Sequence, residues 1–244
     1  MNNKKTALIT GANKGIGLET ARQLGEKDIT VLMGARDAEK GKRAADKLRG
    51  EGIDAHAIVL DVSDPGSIQK AAAQVEKDFG RLDILVNNAG VMADDRGKKV
   101  SEQTLAMWRE TFETNVFGLI ATTNAFLPLL RKSEAGRVVN LSSILGSTGF
   151  HAKPGSPIYE SKDTPAYNVS KAAVNAYTVQ LAYDLKDTKI KVNAAHPGWV
   201  KTDMGGPGAM MELEDGAKTS VALATAGPDG PSGTFEHMGQ ALPW

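Results

Sequence analysis

A phenol and an ammonium stand four residues apart in Tyr167-Asn168-Val169-Ser170-Lys171, where the chain turns helical. At about 1.5 Å and 100° per residue, positions i and i+4 share one helix face, roughly 6 Å apart along the axis. A cation that close favours the phenolate and lowers a hydroxyl pKa that otherwise sits near about 10, so Tyr167 becomes a usable proton donor or acceptor near neutrality. The pairing suits interconversion of carbonyls and alcohols. The same spacing also describes an ordinary helix surface pair, so its meaning depends on the elements around it.

The first of these elements is an apolar run, residues 5–10 (KTALIT), suited to a buried parallel strand. It breaks into Gly11, Ala12, Asn13, Lys14, Gly15, Ile16 and Gly17, and a helical pattern over 17–25 follows. Glycines there permit tight turning and let main-chain N–H groups approach a phosphate at the positive end of the next helix. The spacing Gly-x-x-x-Gly-x-Gly departs from the Gly-x-Gly-x-x-Gly fingerprint and matches it only in its strand, turn, helix context. A plain glycine-rich turn is the alternative.

A second strand, 29–34 (ITVLMG), ends in Ala35, Arg36 and Asp37. An NAD site normally places an acid here for the ribose 2′-hydroxyl, whereas an arginine suits a 2′-phosphate. Arg36, with Lys14 as a second cation, points to NADP(H); Asp37, one residue later, keeps an NAD register open. Residues 57–60 lead to Asp61 and Val62, where a carboxylate and an apolar group could hold adenine. A fourth strand, 82–86, runs into Asn87, Asn88, Ala89 and Gly90, small and amide side chains that let backbone lie against a flat ligand while satisfying buried main-chain groups.

Thr10-Gly11-Ala12-x-x-Gly15-Ile16-Gly17, Asn87-Asn88-Ala89-Gly90, Asn115, Ser142-Ser143, Tyr167-x-x-x-Lys171 and Pro197-Gly198 occur in the order and rough spacing of the short-chain dehydrogenases/reductases. The chain resembles that family over nearly its whole length. It is most similar to the carbonyl-reductase-like branch, because about a dozen residues, 150–161, are inserted ahead of Tyr167 and the chain ends in Pro243-Trp244.

The resemblance implies roles. Tyr167 would protonate the alkoxide as hydride reaches the carbonyl carbon, or remove the hydroxyl proton in reverse. Lys171 would lower its pKa and bond the nicotinamide ribose. Ser143 would polarise the substrate oxygen, with Ser142 as the neighbour to exclude. Asn115 would bend its helix and hold a water on the path from Lys171 to solvent. Pro197, Gly198, Val200 and Thr202 match the stretch that contacts nicotinamide and pyrophosphate. Tyr159, with Lys162 three residues on, lies in a Pro- and Ser-rich loop and is a decoy for the base. Enoyl reductases of the superfamily set more residues between Tyr and Lys, and halohydrin dehalogenases lose the glycine loop and carry Arg for Lys, so neither pattern fits.

Composition agrees with a soluble enzyme: 244 residues, 41% of them hydrophobic, suffice for one large core in a single α/β domain. Strand runs alternate with helical stretches at 17–25, 38–48 and 67–79, which predicts a Rossmann-type doubly wound parallel sheet with helices on both faces. Lys plus Arg and Asp plus Glu balance at 29 each, so nothing invites nucleic acid or an anionic membrane. There is no cysteine, and MNNKKTALIT enters the first strand without a signal peptide, which makes cytoplasm the default. His56, His151, His196 and His237 are scattered without ligand spacing, so no metal is expected.

The segment from about 199 to 216, with Gly205, Gly206, Pro207 and Gly208, is read as a lid that excludes water from hydride transfer. Met92, Phe150, Trp199, Met204, Met210 and Met211 would line an adaptable apolar pocket, which favours an apolar or aryl ketone or aldehyde. The leading expectation is an NADP(H)-dependent carbonyl reductase that runs reversibly as an alcohol dehydrogenase. An NAD-dependent alcohol dehydrogenase and a non-catalytic NADP-binding sensor are the alternatives. The partner is a small carbonyl or alcohol, with homo-oligomerisation left open.

Overall fold

The computed structural model describes residues 4–244; Met1, Asn2 and Asn3, the start of the lead read as free of a signal peptide, lie outside them. Strands β1 (Thr6–Thr10) and β2 (Thr30–Ala35) are buried at every position, as strands covered on both faces must be. Helix α1 (Gly15–Gly25) lies between them and begins two residues earlier than the apolar periodicity indicates, inside the glycine run. Helix α2 (Ala38–Gly50) starts at Asp37, whose carboxylate accepts from Lys40 N at 2.9 Å. Edge strand β3 (Ala55–Val59) is followed by α3 (Pro65–Phe79), which is started by an Asp64 cap and Pro65 and stopped by Gly80 at φ 74°.

Strand β4 (Ile84–Asn87) leads through a long loop to α4 (Leu105–Phe112), a π-turn at Glu113–Gly118 and α5 (Leu119–Leu130). Strand β5 (Arg137–Leu141), the short α6 (Thr148–Ala152), the long α7 (Pro165–Asp184) and β6 (Lys191–Ala195) follow. The chain closes with α8 (Leu213–Ala224), β7 (Phe235–His237) and β8 (Gln240–Ala241).

These strands form one sheet in the order β3-β2-β1-β4-β5-β6-β7-β8, parallel throughout except for β8. Alternate side chains feed two apolar layers. Ile9, Met33 and Val86 face α1, α2 and α8 through Leu24, Leu48 and Val221. Leu8, Leu32 and Leu85 face α3, α5 and α7 through Val75, Phe126 and Leu181. The doubly wound α/β architecture expected from the alternating pattern is present. The order in which successive strands are added reverses between β1 and β4, which opens a crevice at the carboxyl ends of those parallel strands.

Candidate active site

The turn after β1 enters that crevice as Gly11, Ala12, Asn13, Lys14 and Gly15. The N-cap of α1, Lys14, makes no side-chain capping bond and the first turn holds no acid, so neither offers a negative group to the helix's positive end. A Cβ on Gly17 would lie 2.4 Å from Asn88 Nδ2 and 2.7 Å from the Gly11 carbonyl, so only glycine lets α1 pack this near the β4 loop. A bare, positively polarised turn is a cradle for a dinucleotide's pyrophosphate, and these residues fit one. Asn88 ties the two loops together: its Nδ2 donates to the Thr10 carbonyl at 2.8 Å, while Thr10 Oγ1 accepts from Asn88 N and Ala89 N at 3.0 and 2.9 Å.

Arg36 is exposed at the end of β2, at the crevice rim where an adenosine ribose would lie. Asp37, the competing acid, is held as the cap of α2. Beyond β3, Asp61 Oδ1 accepts from Ser63 N and Ser63 Oγ, and Val62 is buried beside it.

Helix α7 brings Tyr167 and Lys171, both buried, to the end of β5. Lys171 Nζ lies 5.5 Å from the centre of the Tyr167 ring, as the helical spacing requires. It donates to the Leu141 carbonyl at 2.7 Å. Burial pushes the phenol up to about 12, against an opposing hydrogen bond with Ser143. The ammonium is pushed down to about 8 by the same desolvation. This corrects the expectation that Lys171 makes Tyr167 unusually acidic: both groups sit in a dry pocket that disfavours charge, and the lysine spends its nearest bond on main chain.

Ser143 caps the short turn that follows β5 by accepting from Leu145 N at 3.2 Å. Ser142 points the other way, donating to Asn175 Oδ1 at 2.6 Å within the core, which excludes it from the crevice side. Gly146 is needed for the approach of that turn to α7: a Cβ there would lie 2.6 Å from Lys171 C. Asn115 sits in the π-turn, where its Nδ2 donates to the Val91 carbonyl at 2.8 Å and to Ser170 Oγ at 3.0 Å, and its Oδ1 accepts from Val91 N at 2.8 Å. The helix distortion expected at Asn115 is therefore present, and main chain of the β4 loop occupies it.

Pro197, Gly198, Val200 and Thr202 follow β6 on the opposite wall. The segment after them is folded on itself: Val200 bridges Met211, and Trp199 Nε1 donates to the Gly205 carbonyl at 2.8 Å. Lys14 Nζ and Asp203 Oδ2 are 2.5 Å apart, which joins this segment to the glycine turn. Its last residues, 213–216, belong to α8 rather than to a flexible lid. Met210 is 77% exposed and does not serve the expected pocket, whereas Met211 lies against Gly198. His196 and His237 are not scattered: their rings lie 4.8 Å apart beneath the Pro197-Gly198 turn, and burial holds His196 down to about 3. Thr10 and Ser170, named in the sequence only as members of their motifs, take part in the site by bonding the β4 loop and Asn115, and Asp94, which carries no signal in the sequence, holds the start of α7.

The model of the short chain dehydrogenase family matches residues 5–212. The chain belongs to that family. This short chain dehydrogenase is 34% identical to carbonyl reductase (NADPH) 1 of Mus musculus, with 99% of each chain covered. It is also 34% identical to short-chain dehydrogenase/reductase 1 of Saponaria officinalis, covering 99% of this chain and 96% of the relative. Among solved structures, NADPH-bound carbonyl reductase from chicken fatty liver superposes with a TM-score of 0.85 at 28% identity over 99% of both chains. This dehydrogenase is therefore an oxidoreductase of the short-chain type. Among the described residues, no helix is long and apolar enough to cross a membrane.

Proposed function

We propose that this dehydrogenase is an NADP(H)-dependent carbonyl reductase, reversible as an alcohol dehydrogenase, acting on small apolar or aryl ketones and aldehydes. The observation that carries the reading is the convergence of Ser143, Tyr167 and Lys171 at the end of β5, with the uncapped glycine turn after β1 two strands away on the same carboxyl edge of the sheet. NADPH, when bound, supplies the hydride. Gly11, Asn13, Gly15, Ile16 and Gly17 would hold its pyrophosphate side, Arg36 and Lys14 its 2′-phosphate, and Asp61 and Val62 its adenine. Asn88, Ala89, Gly90, Lys171, Pro197, Gly198, Val200 and Thr202 would hold the nicotinamide half. The engagement of Asp37 as a helix cap favours the phosphate over the bare ribose.

Tyr167 keeps its proton up to high pH, which suits it to deliver that proton to the carbonyl oxygen. Ser143 donates a hydrogen bond to the same oxygen as negative charge develops there. Lys171, whose charged form burial disfavours, stands 5.5 Å from the Tyr167 ring centre, where it would bond the nicotinamide ribose beside the acid. Asn115 holds the β4 loop in place beside it. The described residues, 4–244, act as one domain, with the segment from Trp199 to Glu212 as the lid. NADPH and NADH oxidation should be followed across aryl ketones, ketoesters, aldehydes and quinones. Faster turnover with NADPH on the apolar carbonyls is expected, and no oxidation of either cofactor by any of them would overturn the reading.

A further inference from the structure

Helix α7 carries the candidate acid on its first turn, yet its own N-cap does nothing for it. Thr164 turns its hydroxyl to Asn168 Oδ1 at 3.0 Å, and Pro165 has no N–H to cap. The next two amides are satisfied from elsewhere in the chain: Ala166 N donates to Asp94 Oδ1 at 2.7 Å, and Tyr167 N donates to Asp94 Oδ2 at 3.0 Å. Both carboxylate oxygens are thus spent on the two N–H groups at and before the tyrosine. An anion there also meets the helix's positive end.

Asp94 lies on the loop after β4, and that loop is pinned at three points. Asn88 is bonded to the glycine turn, Val91 is bonded in both directions to Asn115, and Asp94 holds the start of α7. We propose that Asp94 is a positioning residue. Its two hydrogen bonds fix the first turn of α7 so that the Tyr167 hydroxyl is aimed at the substrate oxygen, and its loop transmits the placement of the cofactor turn to the acid. The inference rests on the carbonyl reductase reading for its kinetic consequence. Asp94 acts through main chain and touches neither substrate nor cofactor, so its removal should cost turnover and leave NADPH affinity in place.

The test compares Asp94→Ala with Asp94→Asn, which keeps an acceptor for one of the two amides. Turnover is measured per NADPH-binding site, with sites counted by fluorescence titration so that misfolded protein is not scored. Asp94→Ala should lose at least tenfold in kcat with NADPH Kd and substrate KM within about threefold of the parent, and Asp94→Asn should recover most of the loss. Amide hydrogen exchange gives a readout that needs no turnover: Ala166 and Tyr167 should exchange faster in Asp94→Ala than in the parent. An unchanged kcat per site in Asp94→Ala, equal losses in Ala and Asn, or undiminished protection of both amides would overturn the assignment. A parent protein that oxidises no NADPH with any carbonyl would instead overturn the reading of function, and the exchange result would still decide whether Asp94 holds the helix.

Discussion

Tyr167 and Lys171 share a pocket dry enough to disfavour both of their charged forms, and this sets what each substitution should do. Removing the phenol proton by Tyr167→Phe leaves the ring packing and the cofactor cradle in place, so turnover should fall by about a hundredfold or more while NADPH binding persists. Stopped-flow rates and fluorescence titration check this, and a variant near the parental rate would end the acid assignment. For Lys171 the sign runs from burial: its ordinary value of 10.5 is lowered to about 8, so the folded protein bears the cost of a buried cation below pH 8. That cost is relieved as the pH rises from 8 toward 10.5. Lys171→Met should therefore abolish turnover yet stabilise the unliganded protein at pH 7. The gain is roughly 1–2 kcal/mol after the lost bond to the Leu141 carbonyl, or about 2–8 °C in Tm for a chain of this size. Melting curves at pH 7 and pH 10.5 test it; a Met variant that melts below the parent at pH 7 would contradict the burial argument.

Elements explain which parts of the site are legible in the sequence. Strand, glycine turn and helix are local, and their periodicities and breaks placed β1, α1, β2 and the Tyr167 helix within one or two residues of where they lie. Long-range contacts were not local and left no mark. Asp94 meets Tyr167 across 73 residues, and His196 meets His237 across 41, because strand order rather than sequence order brings their loops together. Electrostatics failed for a related reason: helical spacing gave the Tyr167–Lys171 separation, but not the burial that reverses its consequence. At this scale Gly17 is a sensitive position of the cofactor cradle, since an added methyl meets both Asn88 Nδ2 and the Gly11 carbonyl. Gly17→Ala should destabilise the protein by about 1–3 kcal/mol and weaken NADPH binding at least tenfold, read by melting and by titration. Parental NADPH affinity in that variant would show that α1 and the β4 loop need not approach so closely.

Across the whole molecule, acidic and basic residues balance at 29 each, so no net field draws in an anionic cofactor and its recognition must be local. The two cations assigned to the 2′-phosphate side, Lys14 and Arg36, are both exposed, and Lys14 is shared with Asp203 across the cleft. A ligand that binds only the folded state at a hundred times its Kd stabilises it by about 2.7 kcal/mol, or roughly 5–10 °C for a chain of this length. NADPH should give a shift of that size, and NADH at equal concentration a clearly smaller one. Raising ionic strength from 0.1 to 1 M shortens the screening length from about 10 to 3 Å, so the NADPH advantage should shrink with salt while the NADH shift holds nearly constant. Arg36→Leu should bring the two cofactors to similar shifts at low salt, because it removes the group that distinguishes them. Equal shifts for both cofactors in the parent, or an NADPH advantage indifferent to salt, would place the phosphate away from these cations and return the choice of cofactor to the ribose.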